Sequence, residues 1–130
     1  MIDQPAGGIG DLPFASMGDL GLDKAKVIQC ALSRICGVCG ESLARPVAFL
    51  GSEVEAGRNE FHFPPMHPSC AEVAIETWTV GSSAALGHPS APESWALVTT
   101  SGFEYVRPSS EAEDRRAVFS PNSVIDTRTL

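Results

Sequence analysis

Cys36-Gly37-Val38-Cys39-Gly40 leads, through a spacing of C-x2-C-x27-H-x2-C, to His67-Pro68-Ser69-Cys70. Two pairs of donor side chains, each split by two residues, supply the four soft or borderline ligands that a tetrahedral structural zinc ion takes. Gly37 and Gly40 suit a zinc knuckle, a tight turn whose backbone N–H groups point at cysteine sulfur. Cys36, Cys39, His67 and Cys70 are therefore the candidate metal ligands, with zinc as the expected cofactor. Three thiolates around Zn²⁺ leave a cluster charge of about −1, which neighbouring N–H groups must absorb. His67 is expected to give one ring nitrogen to the metal and to donate the other to a carbonyl or carboxylate.

Outward from the knuckle, residues 22–34 place Ala25, Val27, Ile28, Ala31 and Leu32 at helical spacing behind an early Asp23, which predicts a helix leading into the metal turn. Pro64-Pro65-Met66 holds the chain extended before the second pair, and Pro68 sits where a first helical residue tolerates a missing N–H. A helix is expected to start there, since Ala71, Ala74, Ile75 and Trp78 follow an i, i+3, i+4, i+7 pattern. Glu72 suits its positive end. Between the pairs, the apolar run Pro46-Val47-Ala48-Phe49-Leu50 reads as a strand, 51–60 as a polar loop, and Phe61-His62-Phe63 as the returning strand of a hairpin.

The flanks are less informative. Residues 1–11 read as a flexible lead-in, 12–17 as a short strand and 79–94 as a connector. Three short strands are expected at 95–100, 103–106 and 116–120, with Ser101-Gly102 as the first turn and an acidic loop at 109–114. The whole is expected to be one α+β domain: residues 22–78 form a helix plus a zinc-stabilised core of knuckle, hairpin and helix, and 95–130 form antiparallel strands.

Composition bounds the function. With 12 Gly and 10 Pro in 130 residues, turns are many and the core per residue is modest. No apolar run approaches the ~18–20 residues of a membrane span, and no basic stretch leads into an apolar one at the N-terminus, so a soluble cytoplasmic chain is expected. The four cysteines then read as reduced thiols, with Cys30 a small apolar residue in its helix outside the metal set. A net charge of −7, from 16 acidic and 9 basic residues, disfavours a phosphate backbone as partner.

Knuckle, hairpin and a helix whose first turn carries the last two ligands resembles the treble clef, and the ligand spacing resembles the first zinc half of a LIM domain with a longer hairpin and no second half. The run from ICGVCGESL to FPPMHPSCAE also resembles small uncharacterised zinc-binding proteins of actinobacteria and their phages, through CG-x-CG-x-x-L and PPMH-x-x-CA. That resemblance covers about residues 12–78. It implies a zinc-containing fold and, in a phage-like setting, a small regulator that binds a host protein; it implies no reaction. Members often carry a further Cys-Pro pair after the ligand helix, where this chain has Thr77-Trp78.

Four ligands close the zinc shell, which argues against hydrolysis at the metal. Neither the H-x-E deaminase signature nor HEXXH is present. His62, beside Asn59 and Glu60, is the candidate for an HNH-like treble-clef nuclease, yet no histidine follows Cys70 until His88; a polar residue on an exposed hairpin face is the preferred reading, with no catalytic residue assigned. Nucleic-acid binding would need Lys24, Lys26, Arg34, Arg45 and Arg58 to converge beside the knuckle, with Phe61 or Phe63 free to stack on bases. The preferred expectation is a non-enzymatic protein-interaction module that offers a protein partner the hairpin loop, the acidic loop or an exposed strand edge.

Overall fold

The computed structural model describes residues 14–17, 21–78, 92, 94–107 and 117–130. The lead-in at 1–11, the acidic loop at 109–114 and all of the 79–94 connector except 92 and 94 lie outside these residues. The described chain is a mixed α+β fold, in the order β1 (Ser16–Met17), β2 (Gly21–Leu22), α1 (Lys24–Ser33), β3 (Val47–Ser52), α2 (Glu53–Arg58), α3 (Pro68–Trp78), β4 (Trp95–Thr100), β5 (Phe103–Val106), β6 (Val118–Pro121) and β7 (Val124–Thr129).

Local chemistry sets the helix ends. Asp23 caps α1 by accepting the Lys26 N–H at 3.1 Å, and Arg34 closes it in the left-handed region, its N–H returning to the Cys30 carbonyl. The buried face of α1 is Val27 and Cys30, whereas Ile28 and Leu32, members of the same apolar pattern, are exposed. Helix α3 begins at Pro68 as expected and buries Ala71 and Ala74, with Ile75 half-buried.

The segment expected to be a polar loop at 51–60 contains α2. Its stop and start signals are local: Ser52 accepts the Glu55 N–H at 3.1 Å while the Glu55 carboxylate returns to the Ser52 N–H at 2.8 Å, a capping box. The other oxygen of Glu55 accepts the His62 N–H at 3.2 Å, fastening the chain beyond the helix.

The expected hairpin between β3 and Phe61-His62-Phe63 does not form. Strand β3 pairs antiparallel with β4, from Val47 opposite Thr100 to Ser52 opposite Trp95, and β4 pairs in turn with β7. The sheet order is therefore β3-β4-β7. Phe61 instead exchanges backbone hydrogen bonds with Phe119, at 2.8 and 2.7 Å, and the return contact to β3 is a single bridge between Ala48 and Met66. Ser101-Gly102 likewise does not turn a β4–β5 hairpin, because β5 pairs with β6 in a separate two-stranded ladder.

Burial explains the choice. All six residues of β3 are buried, the signature of a strand covered on both faces rather than one of an exposed hairpin. Phe49 from β3 meets Phe61, Phe103 and Phe119, and α3 packs against β3 as well. Strand β7 is the opposite case: every residue in it is exposed.

Candidate metal centre

The knuckle is a short hairpin of its own. Beyond the α1 cap, Ile35 bridges to Ser42, the Cys36 N–H donates to the Glu41 carbonyl at 2.8 Å, and the Gly40 N–H donates to the Cys36 carbonyl at 2.9 Å. Gly40 takes φ +77°, a left-handed conformation that strains any residue with a Cβ. A Cβ on Gly37 would meet the Phe63 ring at 2.9 Å and Pro64 at 3.1 Å, and the Gly37 N–H donates to the Pro65 carbonyl at 2.8 Å. The diproline segment thus lies directly on the knuckle and delivers His67 to it.

On the other side of the site, Met66 and Ala48 exchange two backbone bonds of 2.8 and 2.9 Å, which fixes the residue before His67 to β3. The His67 carbonyl accepts the Ala71 N–H at 2.9 Å, so His67 stands at the entrance of α3 and Cys70 in its first turn.

These elements bring Cys36, Cys39, His67 and Cys70 together, with one ligand atom from each and all four within 4.8 Å of one another. His67 Nδ1 lies 3.4 Å from Cys39 Sγ and 3.7 Å from Cys70 Sγ. Metal–sulfur bonds of about 2.3 Å and metal–nitrogen bonds of about 2.0–2.1 Å give tetrahedral S···N edges of roughly 3.6 Å, which those separations bracket. The four side chains together could hold a metal ion. Cys30, buried, is not part of this cluster.

The tautomer of His67 follows from its second nitrogen. Nε2 lies 2.8 Å from the Ser42 carbonyl, which can only accept, so Nε2 carries the proton and the Nδ1 lone pair faces the three sulfurs. Around Cys36 Sγ, the N–H groups of Val38, Cys39 and His67 lie at 3.3, 3.5 and 3.4 Å. These donors supply the charge relief that a thiolate-rich cluster requires. All of them, like the Ser42 carbonyl, are backbone groups; the glycine turn points to the Val38 and Cys39 donors, whereas nothing in the sequence marks the His67 N–H or the Ser42 carbonyl.

Burial, and then the charge of Cys36 and Cys39, pushes the Cys70 thiol well above its ordinary value; burial, and then the charge of Cys36, pushes Cys39 upward too. A cation among the sulfurs would offset this cost, and its binding would displace protons. The Cys30 thiol is pushed up to about 12 by burial first and by the charges of Cys36 and Cys39 second. Its folded value exceeds the unfolded one near 9, so the stability it contributes is complete below about pH 9 and is lost as the pH climbs toward 12. Accordingly, Cys30→Ala is expected to keep its metal and cost about 1 kcal/mol. Loss of metal from that variant, measured by elemental analysis, would put Cys30 in the ligand set.

The other candidate residues are occupied elsewhere. His62 is half-buried rather than exposed on a hairpin, with Nδ1 3.0 Å from the Ala117 carbonyl. Phe61 and Phe63 are fully enclosed, so neither offers a face for base stacking. The Arg34 guanidinium lies over the Phe103 ring at 4.9 Å and the Lys26 ammonium over Phe14 at 5.1 Å. No helix among the described residues is long and apolar enough to cross a membrane.

Comparison with protein-family models, with curated proteins and with solved structures finds no match to this chain. Fold and site together define a mixed α+β protein with a Cys₃His cluster that could hold a metal ion.

Proposed function

We propose that this chain is a zinc-stapled protein-interaction module of treble-clef type, without enzymatic activity, whose partner is another protein. The observation that carries the reading is the donor set: three sulfurs and one imidazole nitrogen within 4.8 Å of one another, with the second histidine nitrogen already committed to Ser42. That donor set selects zinc over harder cations, and four protein ligands leave no position for substrate or water. The succession of knuckle, β3, α2, a single bridge from Met66 back to Ala48, and α3 supports this reading, although the hairpin expected of a treble clef is reduced to that one bridge.

Two alternatives fare worse. A nuclease reading needs His62 turned toward a second metal ligand, whereas its Nδ1 is held at the Ala117 carbonyl. A nucleic-acid reading needs exposed aromatics and gathered cations, whereas Phe61 and Phe63 are enclosed and the chain carries −7 overall.

The test pairs capture with titration. Zinc-loaded protein, cross-linked in lysate of its host and analysed by mass spectrometry, is expected to yield a protein that binds again when both are purified, and that a Cys36→Ser bait fails to recover. Tight, salt-dependent binding to oligonucleotides with no such protein partner would reverse the assignment.

A further inference from the structure

Strand β7 is an edge strand: among the described residues it pairs only with β4, and all six of its residues are exposed. Val124, Ile125 and Leu130 leave 48%, 62% and 43% of their surface in water. The direction of its free hydrogen-bonding groups can be read from its end. The Leu130 N–H donates to the Trp95 carbonyl at 2.9 Å, so the backbone groups of Arg128 and Asp126 also face β4, while those of Thr127 and Thr129 face the open edge. An irregularity in the β4 pairing lies between Thr99 and Thr100, at the start of β7, and leaves 126–129 in regular register.

We propose that this edge pairs with the same edge of a second copy, antiparallel about Thr127. In an antiparallel pair, outward-facing residues must meet outward-facing residues, which excludes every register offset by an odd number. Among the rest, centring on residue 126 sets Asp126 against Asp126, and centring on 128 sets Arg128 against Arg128. Centring on Thr127 sets Asp126 of each copy opposite Arg128 of the other, twice by symmetry, and is also the register in which residues 124–130 overlap completely. The same arrangement lays Leu130 of one copy alongside the Val124 end of its mate, covering apolar side chains that are otherwise wet. Two three-stranded sheets become one continuous sheet, ordered β3-β4-β7-β7-β4-β3. Arg128 already reaches Glu72 at 3.2 Å, but both side chains are about half exposed, so the guanidinium remains open to a second carboxylate.

Sedimentation equilibrium of the full metal-loaded chain tests the pairing. The wild type is expected to dimerise, and Asp126→Arg, which places arginines opposite one another at two symmetric positions, to weaken the dimer by roughly tenfold or more. The double reversal Asp126→Arg/Arg128→Asp restores the opposite-charge pairs and is expected to recover the dimer. Glu72→Gln, which removes only the intrachain partner of Arg128, is expected to leave it unchanged. A wild type that stays monomeric to its solubility limit, which would leave the edge to a strand of some other protein, overturns the proposal. So does a dimer indifferent to Asp126→Arg or not recovered by the double reversal. Asp126, Arg128 and Glu72 are all exposed, and retained metal content confirms that each variant is folded.

Discussion

Replacing Cys36 with serine is expected to remove the bound metal and cooperative unfolding together. Cys36 is fully buried, its sulfur receives N–H groups from Val38, Cys39 and His67, and its own backbone closes the knuckle through Glu41 and Gly40. Serine keeps the approximate shape but offers a hydroxyl that does not ionise, so the tetrahedron loses a thiolate while the surrounding donors lose their acceptor charge. Structural zinc sites supply on the order of 10 kcal/mol of apparent binding energy, and the net stability of a domain is about 5–15 kcal/mol. Losing most of the first therefore exceeds or nearly exhausts the second. Cys70→Ser, at the first turn of α3, should behave alike. The measurements are metal stoichiometry on the purified variant and a thermal melt followed by circular dichroism; stoichiometric metal in both variants would remove Cys36 and Cys70 from the ligand set.

The ligand cluster could be read from the chain because its chemistry is carried by side chains at short, fixed spacings. Cys36 and Cys39 must share one turn, and His67 and Cys70 share the entrance to one helix, so sequence distance already limits spatial distance. Helices α1 and α3 were legible for a related reason, since Asp23 and Pro68 mark their starts within a few residues of the apolar pattern. Helix α2 also carried a local signal, the Ser52…Glu55 capping box, but its six residues hold too little apolar periodicity to stand out from a polar loop. Strand pairing was another matter. Val47 meets Thr100 and Phe61 meets Phe119, and nothing local in either partner specifies the other. The alternation around Phe61-His62-Phe63 suggested a strand returning to β3, yet β3 is enclosed on both faces and gives its sheet edge to β4. Val124-Ile125-Asp126-Thr127 is rich in β-branched residues and does form β7, but its complete exposure gives it none of the apolar-polar alternation by which a half-buried strand is recognised.

The second large effect is expected at Phe49, where the metal-bearing half of the fold meets the aromatic half. Its neighbour Ala48 holds Met66 and so the approach to His67, while Phe49 itself stacks on Phe61 at 5.5 Å, meets Phe103 edge-on at 5.5 Å and tilts against Phe119 at 6.0 Å. Fully enclosed, the ring ties β3 to the β5–β6 ladder and to the segment that leaves α2. Phe49→Ala removes the transfer energy of the ring and opens a cavity among three others, at a cost of about 3–5 kcal/mol. For a domain of this size that corresponds to a fall in Tm of roughly 10–20 °C. The ligands, by contrast, are anchored through Gly37 to Pro65 and through His67 to Ser42, contacts that do not include the ring. Metal content is therefore expected to survive Phe49→Ala at temperatures where the variant is folded, while its melt shifts downward. Phe49→Leu, which refills much of the volume, should recover part of the loss. If Phe49→Ala instead released the metal while its circular dichroism stayed native, Ala48 and Phe49 would be acting as one unit, and the metal centre would depend on the aromatic cluster for its geometry rather than on its own backbone contacts.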